Sequence, residues 1–274
     1  MMRHARGGRP AALSILPRRM YEDLAYELRD HVGVITLDRP DVHNALRRQT
    51  YAELEDAVRT TEARVLVITG RDPSFCSGDD VREIMTGDGP PPDLAAAPRL
   101  TPAADALLST DVPVIAAVNG SAVGWGMELA LMADLRVASE RARFAELFVE
   151  RGLCCDVAGL GRLVQLVGRE HASELLFTGR RVEAEEALRI GLVSRVVPHG
   201  ELMQSALALA ATIAAKPPLA VAKLKAGLRA AADPDWAQLG RWVSASLAEL
   251  FTTDDHREGV QAFLEKRAPV YRGR

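Results

Sequence analysis

Three features of the chain predict an α/β fold. Short, fully apolar segments of strand length recur, as in VLVITG (Val65–Gly70) and VIAAV (Val114–Val118); stretches with helical period lie between them; and a Gly-rich turn joins one such strand directly to an apolar helix. Strand–helix–strand units need crossover connections, so the sheet is expected to be covered on at least one face. With 274 residues there is room for one large domain, or for one domain and a small appended lobe. Hydrophobic residues make up 48% and charged residues 26%, with a net charge of −3, which gives no basis for bulk nucleic-acid or anionic-membrane binding. No apolar run approaches the roughly 20 residues of a membrane helix. Cys76, Cys154 and Cys155 lack any Cys-x-x-Cys spacing, so reduced thiols and a cytoplasmic location are expected.

The first nineteen residues, MMRHARGGRPAALSILPRR, are rich in Arg, Gly and Pro; LSIL is too short for a signal-peptide core, and a flexible extension is expected. From Tyr21 the order is strand, strand, helix, strand. YEDLAYELRD alternates loosely, and VGVITLD (Val32–Asp38) is a buried strand stopped by Arg39-Pro40. Arg47–Ala63 carries Tyr51, Leu54 and Val58 at helical spacing before the apolar strand Val65–Gly70. Met85–Asp105, with GPPPDLAAAP, is expected to be a solvated surface loop, and gating of a nearby site is its second reading. LRVAS (Leu135–Ser139) is a further strand. LVQLVG, ASELLFTG and VEAEEALRIG each read as a helix ending at a Gly suited to a left-handed cap. LVSRVV supplies a short strand, Glu201–Ala215 a long helix, and the chain is helical from Pro217 to the end.

Chemistry concentrates in PVIAAVNGSAVGWGMELALMAD (Pro113–Asp134). The helix that starts near Trp125 carries one ionisable side chain in its first two turns, Glu128, among Met127, Leu129, Ala130, Leu131 and Met132. Desolvation there is costly and is expected to raise the carboxyl pKa. The turn before it offers backbone N–H groups at a helix N-terminus, where anions are stabilised. Oxyanion donors beside a desolvated carboxyl suggest proton transfer next to a carbonyl. Gly124-Trp125-Gly126 lacks the third glycine of a dinucleotide fingerprint, and GSAVG places Ser121 wrongly for a nucleophile elbow.

Four stretches, in this order and spacing, resemble the crotonase superfamily (the enoyl-CoA hydratase/isomerase group): LDRPDVHNAL (Leu37–Leu46), VITGRDPSFCSGDDV (Val67–Val81), Pro113–Asp134 and DDHREGVQAFLEKR (Asp254–Arg267). The resemblance implies a crotonase-like spiral of ββα units over residues 21–200 and a helical C-terminal trimerisation region over 201–274, which leaves residues 1–20 as a flexible N-terminal extension. It further implies an acyl-CoA thioester as substrate, with coenzyme A as part of that substrate, no separate cofactor or metal, a homotrimer or dimer of trimers, and a place in fatty acid metabolism.

By the same resemblance, the thioester oxygen is held by the main-chain amides of Asp79 and Trp125, and Glu128 is an acid/base group. Hydratases of this type place a second glutamate where this chain has Phe148, in FAELFVERG. If that stretch is helical, Glu146 and Glu150 are each turned about 200° from the position, so neither replaces it. Asp156, in GLCCDVAG, matches the catalytic aspartate of dienoyl-CoA isomerases; helix capping is its other reading. Cys76, Gly78, Asp79, Gly124, Phe148, Phe263 and Lys266 are the expected substrate and CoA contacts, and His43 borders the same region. Hydration and isomerisation both stand as reactions. A non-catalytic acyl-CoA-binding protein, or another enolate reaction such as thioester hydrolysis or decarboxylation, is the alternative.

Overall fold

The computed structural model describes residues 19–84 and 100–274. In chain order the elements are β1 (Arg19–Met20), β2 (Leu24–Arg29), β3 (Val32–Leu37), α1 (Arg48–Arg59), β4 (Val65–Gly70), α2 (Val81–Ile84) and α3 (Pro102–Ser109). They continue as β5 (Val114–Val118), β6 (Ser121–Val123), α4 (Trp125–Met132), β7 (Leu135–Ser139), β8 (Arg143–Ala145) and α5 (Val157–Thr178). The remainder are β9 (Val182–Glu183), α6 (Ala184–Arg189), β10 (Arg195–Val197), α7 (Leu202–Ala214), α8 (Pro218–Ala232), α9 (Trp236–Leu250) and α10 (Asp254–Glu265).

A seven-stranded sheet in the order β1-β2-β3-β4-β5-β7-β10 is antiparallel at β1-β2-β3 and parallel from β3 onward. Its central strands show why they lack polar alternation. Leu66 and Ile68 of β4, with Val114, Ala116 and Val118 of β5, enter the core shared with α1, α3, α4 and α5. Val65, Val67, Ile115 and Ala117, on the opposite face, meet Leu202, Ala206 and Ala210 of α7. Each face of each strand therefore has an apolar partner, as a period of two requires. The helix α7, expected in the C-terminal helical region, covers the second face of the sheet.

A small sheet, β6-β8-β9, lies apart from the first, and Cys76 joins β6 through a parallel bridge to Ala122. The chain thus repeats one course. A strand in the large sheet (β4, β5, β7) leads to a short extended segment at the small one (Cys76, β6, β8), and a helix follows. This repeat sets three segment ends side by side: Gly78-Asp79, Gly124-Trp125, and Glu146 to Phe148.

Several expectations are corrected. Pro102–Ser109 is a helix, capped by the Thr101 side chain, with Ala103, Ala104, Ala106 and Leu107 buried, so the end of the expected surface loop belongs to the core. Residues 85–99 of that loop and residues 1–18 lie outside the described residues. The stretch around Phe148 is not an α-helix: it leaves β8 at Ala145 and makes a single 3-10 turn, Val149–Arg151. The helices expected from LVQLVG and ASELLFTG are the two parts of α5, divided at Gly168. Gly168, Gly179 and Gly191 all have positive φ, as their cap reading requires.

Candidate active site

The two turns expected to hold an oxyanion form by different routes. In the first, Leu46 donates its N–H to the Gly78 carbonyl (2.8 Å) and accepts from Asp80 N–H (2.8 Å), which makes Asp79 the partner of Leu46 in a parallel bridge. In such a bridge the central residue's own N–H points away from the partner strand. In the second, Trp125 is the first residue of α4, where helical N–H groups have no partner within the helix. Among the described residues neither the Asp79 nor the Trp125 amide donates to a protein acceptor.

The turns are packed on each other. A Cβ added at Gly78 would stand 2.7 Å from the Val123 carbonyl oxygen and 3.2 Å from the Trp125 nitrogen, and Gly78 has φ +87°. Only glycine fits both constraints. The turns share one wall of a cavity of about 890 Å³, lined among others by Gly78, Asp79, Gly124, Trp125, Phe148, Phe263 and Lys266. His43 also borders it, with its ring bonded to the Ser74 hydroxyl. Arg151 lines the same space, its guanidinium 4.4 Å from the Phe263 ring centroid. Cys76 departs from expectation: its side chain is fully buried beneath the first turn, where Sγ accepts the Gly78 N–H (3.4 Å), so it offers no contact to a bound molecule.

Behind the wall lie three carboxyl groups. Glu128 is fully buried; Oε2 accepts the Gly159 N–H at 2.9 Å, and Oε1 has no partner among the described residues. It rests at the start of α5, and a Cβ at Gly159 would come within 2.7 Å of Oε1. Burial pushes its pKa well up, the nearby Asp156 charge adds to this, and the amides of Gly159, Asp156 and Ala158 oppose it. Asp156 serves as N-cap and site group at once: Oδ1 accepts Val157 N–H (2.7 Å) and Oδ2 accepts the Trp125 indole N–H (3.2 Å). Burial raises its pKa as well.

Glu146 is the third, and the helical reading of FAELF dismissed it. It is 1% exposed, and neither carboxyl oxygen has a partner among the described residues. Burial first, then the charges of Glu128 and Asp156, pushes its pKa well up. The signal was present in the sequence as a lone acid in an apolar run; the missing element was the strand β8, three residues long.

Trp125 is an organising residue. Its buried indole meets the Tyr51 ring edge-on at 4.7 Å and holds Asp156. Tyr51 in turn donates to Asp79 Oδ1 (2.5 Å). Burial raises the Asp79 pKa to about 6, with Asp156 adding and the Tyr51 hydroxyl and Arg151 opposing. Phe148 is half-buried at the cavity, with a ring carbon 4.0 Å from where a Cβ at Gly124 would stand.

The sequence profile of the enoyl-CoA hydratase/isomerase family matches residues 27–274. The chain belongs to this family. Among enoyl-CoA hydratase/isomerase relatives, a probable enoyl-CoA hydratase of Rhodobacter capsulatus is 40% identical over 262 residues, covering 93% of this chain and 99% of the relative. A carnitinyl-CoA dehydratase of Salmonella typhi is 40% identical over 264 residues, covering 93% of this chain and all of the relative. The crystal structure of a carnitinyl-CoA hydratase from Mycobacterium avium superposes with a TM-score of 0.79 at 36% identity, over 93% of this chain and 100% of the other. Membership of the family carries the crotonase fold with it, in agreement with the sequence expectation.

Proposed function

We propose that the chain is an enoyl-CoA hydratase/isomerase-type enzyme that acts on the C=C bond of an acyl-CoA through a thioester enolate. The observation that carries this reading is the pair of amides, Asp79 and Trp125, unpartnered among the described residues and packed together at a cavity one helical turn from Glu128. Amides fixed before the reaction stabilise developing charge without reorganising. Glu128, whose carboxyl burial pushes toward the neutral form, is an acid/base group, with the carboxyl of Asp156 beside it. Phe263 and Lys266 at the cavity supply an aromatic face and a cation for the CoA moiety, whose phosphates need positive partners.

Two observations bear on the reaction within this class. Phe148 puts a ring where a water-holding acid would stand, which favours double-bond migration. The relatives named hydratase and dehydratase favour addition or removal of water. The discriminating experiment offers crotonyl-CoA, a 3-enoyl-CoA and a 3,5-dienoyl-CoA, following water addition and bond migration separately. Turnover of at least one is expected; tight acyl-CoA binding with no turnover of any would make the chain a binding protein.

The same reading extends to a homotrimer or dimer of trimers, to fatty acid metabolism and to the cytoplasm. Leu219, Leu224 and Leu228 of α8 are 82%, 69% and 69% exposed, an apolar face suited to association. Among the described residues no single helix is long and apolar enough to cross a membrane, and the three cysteines are free.

A further inference from the structure

We propose that the Asp79 carboxylate is the catalytic base of this site, oriented by Tyr51, while Glu128 is the acid. This deepens the acyl-CoA reading and rests on it. The residue whose amide is assigned to the thioester oxygen carries a carboxyl group in the same cavity wall. Tyr51, fixed on α1 and edge-on to Trp125, occupies Oδ1 and leaves Oδ2 without a protein partner among the described residues. The two oxyanion residues therefore do more through their side chains: Asp79 bears one carboxyl, and Trp125 holds the other, Asp156, by its indole N–H.

The environments separate the two roles. Glu128 is fully buried with one oxygen unpaired among the described residues, so the neutral acid is favoured. Asp79 is half-buried and accepts the Tyr51 hydroxyl, so it is ionised at neutral pH. Carboxyl groups pushed to different pKa values divide into base and acid. The groups facing Asp79 are Tyr51 on α1, Arg151 on the 3-10 turn, Asp156 at the start of α5, and the Cys76 thiol beneath it.

In bond migration, Asp79 Oδ2 takes a proton from the acyl carbon: a C–H bond breaks, an O–H bond forms, and the electron pair moves through the conjugated system to the thioester oxygen. The enolate then collapses as Glu128 delivers its proton to the other end of the three-carbon unit. In hydration the same carboxylate takes the proton of water as its oxygen bonds to the β carbon, and Glu128 protonates the α carbon. In both reactions Asp79 ends protonated and Glu128 ionised, and the pair is reset when Asp79 passes its proton to Glu128 through Asp156, whose charge acts on both groups.

The test measures kcat against pH, with acyl-CoA affinity, for wild type, Asp79→Asn and Tyr51→Phe on whichever enoyl-CoA the wild type converts. Asp79→Asn keeps the main-chain amide and the Tyr51 bond. It is expected to lose at least about 10²-fold in kcat, as removal of a general base does, with affinity changed only a few-fold. Wild type is expected to show an acid limb near pH 6. Tyr51→Phe removes a bond that favours the ionised form, so the limb should move to higher pH; this shift decides the matter if Asp79→Asn fails to fold. Near-normal kcat in Asp79→Asn, or an unmoved limb in Tyr51→Phe, overturns the assignment and leaves the acyl-CoA reading intact. A wild type that converts none of the enoyl-CoA substrates overturns both.

Discussion

Asp23 and Glu146 are both buried carboxyl groups, 2% and 1% exposed, and they meet opposite fates. Asp23, at the edge of the large sheet, accepts two hydrogen bonds from Arg47 (2.7 Å each) and one from Thr50 (2.6 Å). Burial works against its charge, but these bonds, with the charges of Arg47 and Arg39, hold its pKa below the ordinary range. Glu146 has no partner among the described residues and two carboxyl neighbours, Glu128 and Asp156, and its pKa rises. Equal burial thus yields a satisfied structural anion in one place and a high-energy proton store in the other. The chain matches cations to acids where it needs stability and withholds them behind the cavity, as sites with tuned pKa values do.

The sharpest way to break this contrast is Glu128→Gln, expected to cost about 10²–10⁴ in kcat while acyl-CoA still binds. A loss of folding with no loss of specific activity in the folded fraction would place Glu128 with Asp23 as a structural group. Next comes Asp23→Asn, expected to destabilise by about 2–3 kcal/mol at neutral pH, since Arg47 keeps some access to water, with kcat unchanged. Because the folded pKa of Asp23 is depressed, its contribution is present above the unfolded pKa and lost as pH falls through the folded one. Denaturant titrations should therefore find the penalty shrinking in acid.

Glu146→Gln carries the smallest effect and the opposite sign. The folded chain retains a proton that the unfolded chain releases above the free glutamate pKa, so the wild type loses stability as pH rises through that window. The variant has no such loss. Its stability relative to wild type should improve from pH 5 to pH 6, by about 1 kcal/mol. A pH-independent difference would mean that Glu146 is not held neutral.

The large sheet was legible because its strands are long enough to leave a pattern: Val65–Gly70 and Val114–Val118 stand as the apolar runs predicted, and Leu135–Ser139 as the further strand. The small sheet was not, since strands of two or three residues such as Ser121–Val123 have no period to read. That omission hid Glu146, which only a strand before it turns inward. The helix Pro102–Ser109 was also overlooked, although Thr101 before Pro102 is a capping signal, because the Pro-rich run ahead of it dominated the reading. In the site, Glu128 and the two turns were readable as local sequence. The Tyr51–Asp79 bond joins positions 28 residues apart on a helix and a turn, and no spacing rule connects them.

The central claim is that main-chain amides of two neighbouring turns receive the thioester oxygen beside Glu128. A crystal structure of Glu128→Gln with an enoyl-CoA bound tests it directly. The expected result is a thioester oxygen within about 2.7–3.1 Å of both the Asp79 and Trp125 nitrogens. A thioester bound elsewhere in the cavity, or held by only one of them, would contradict it.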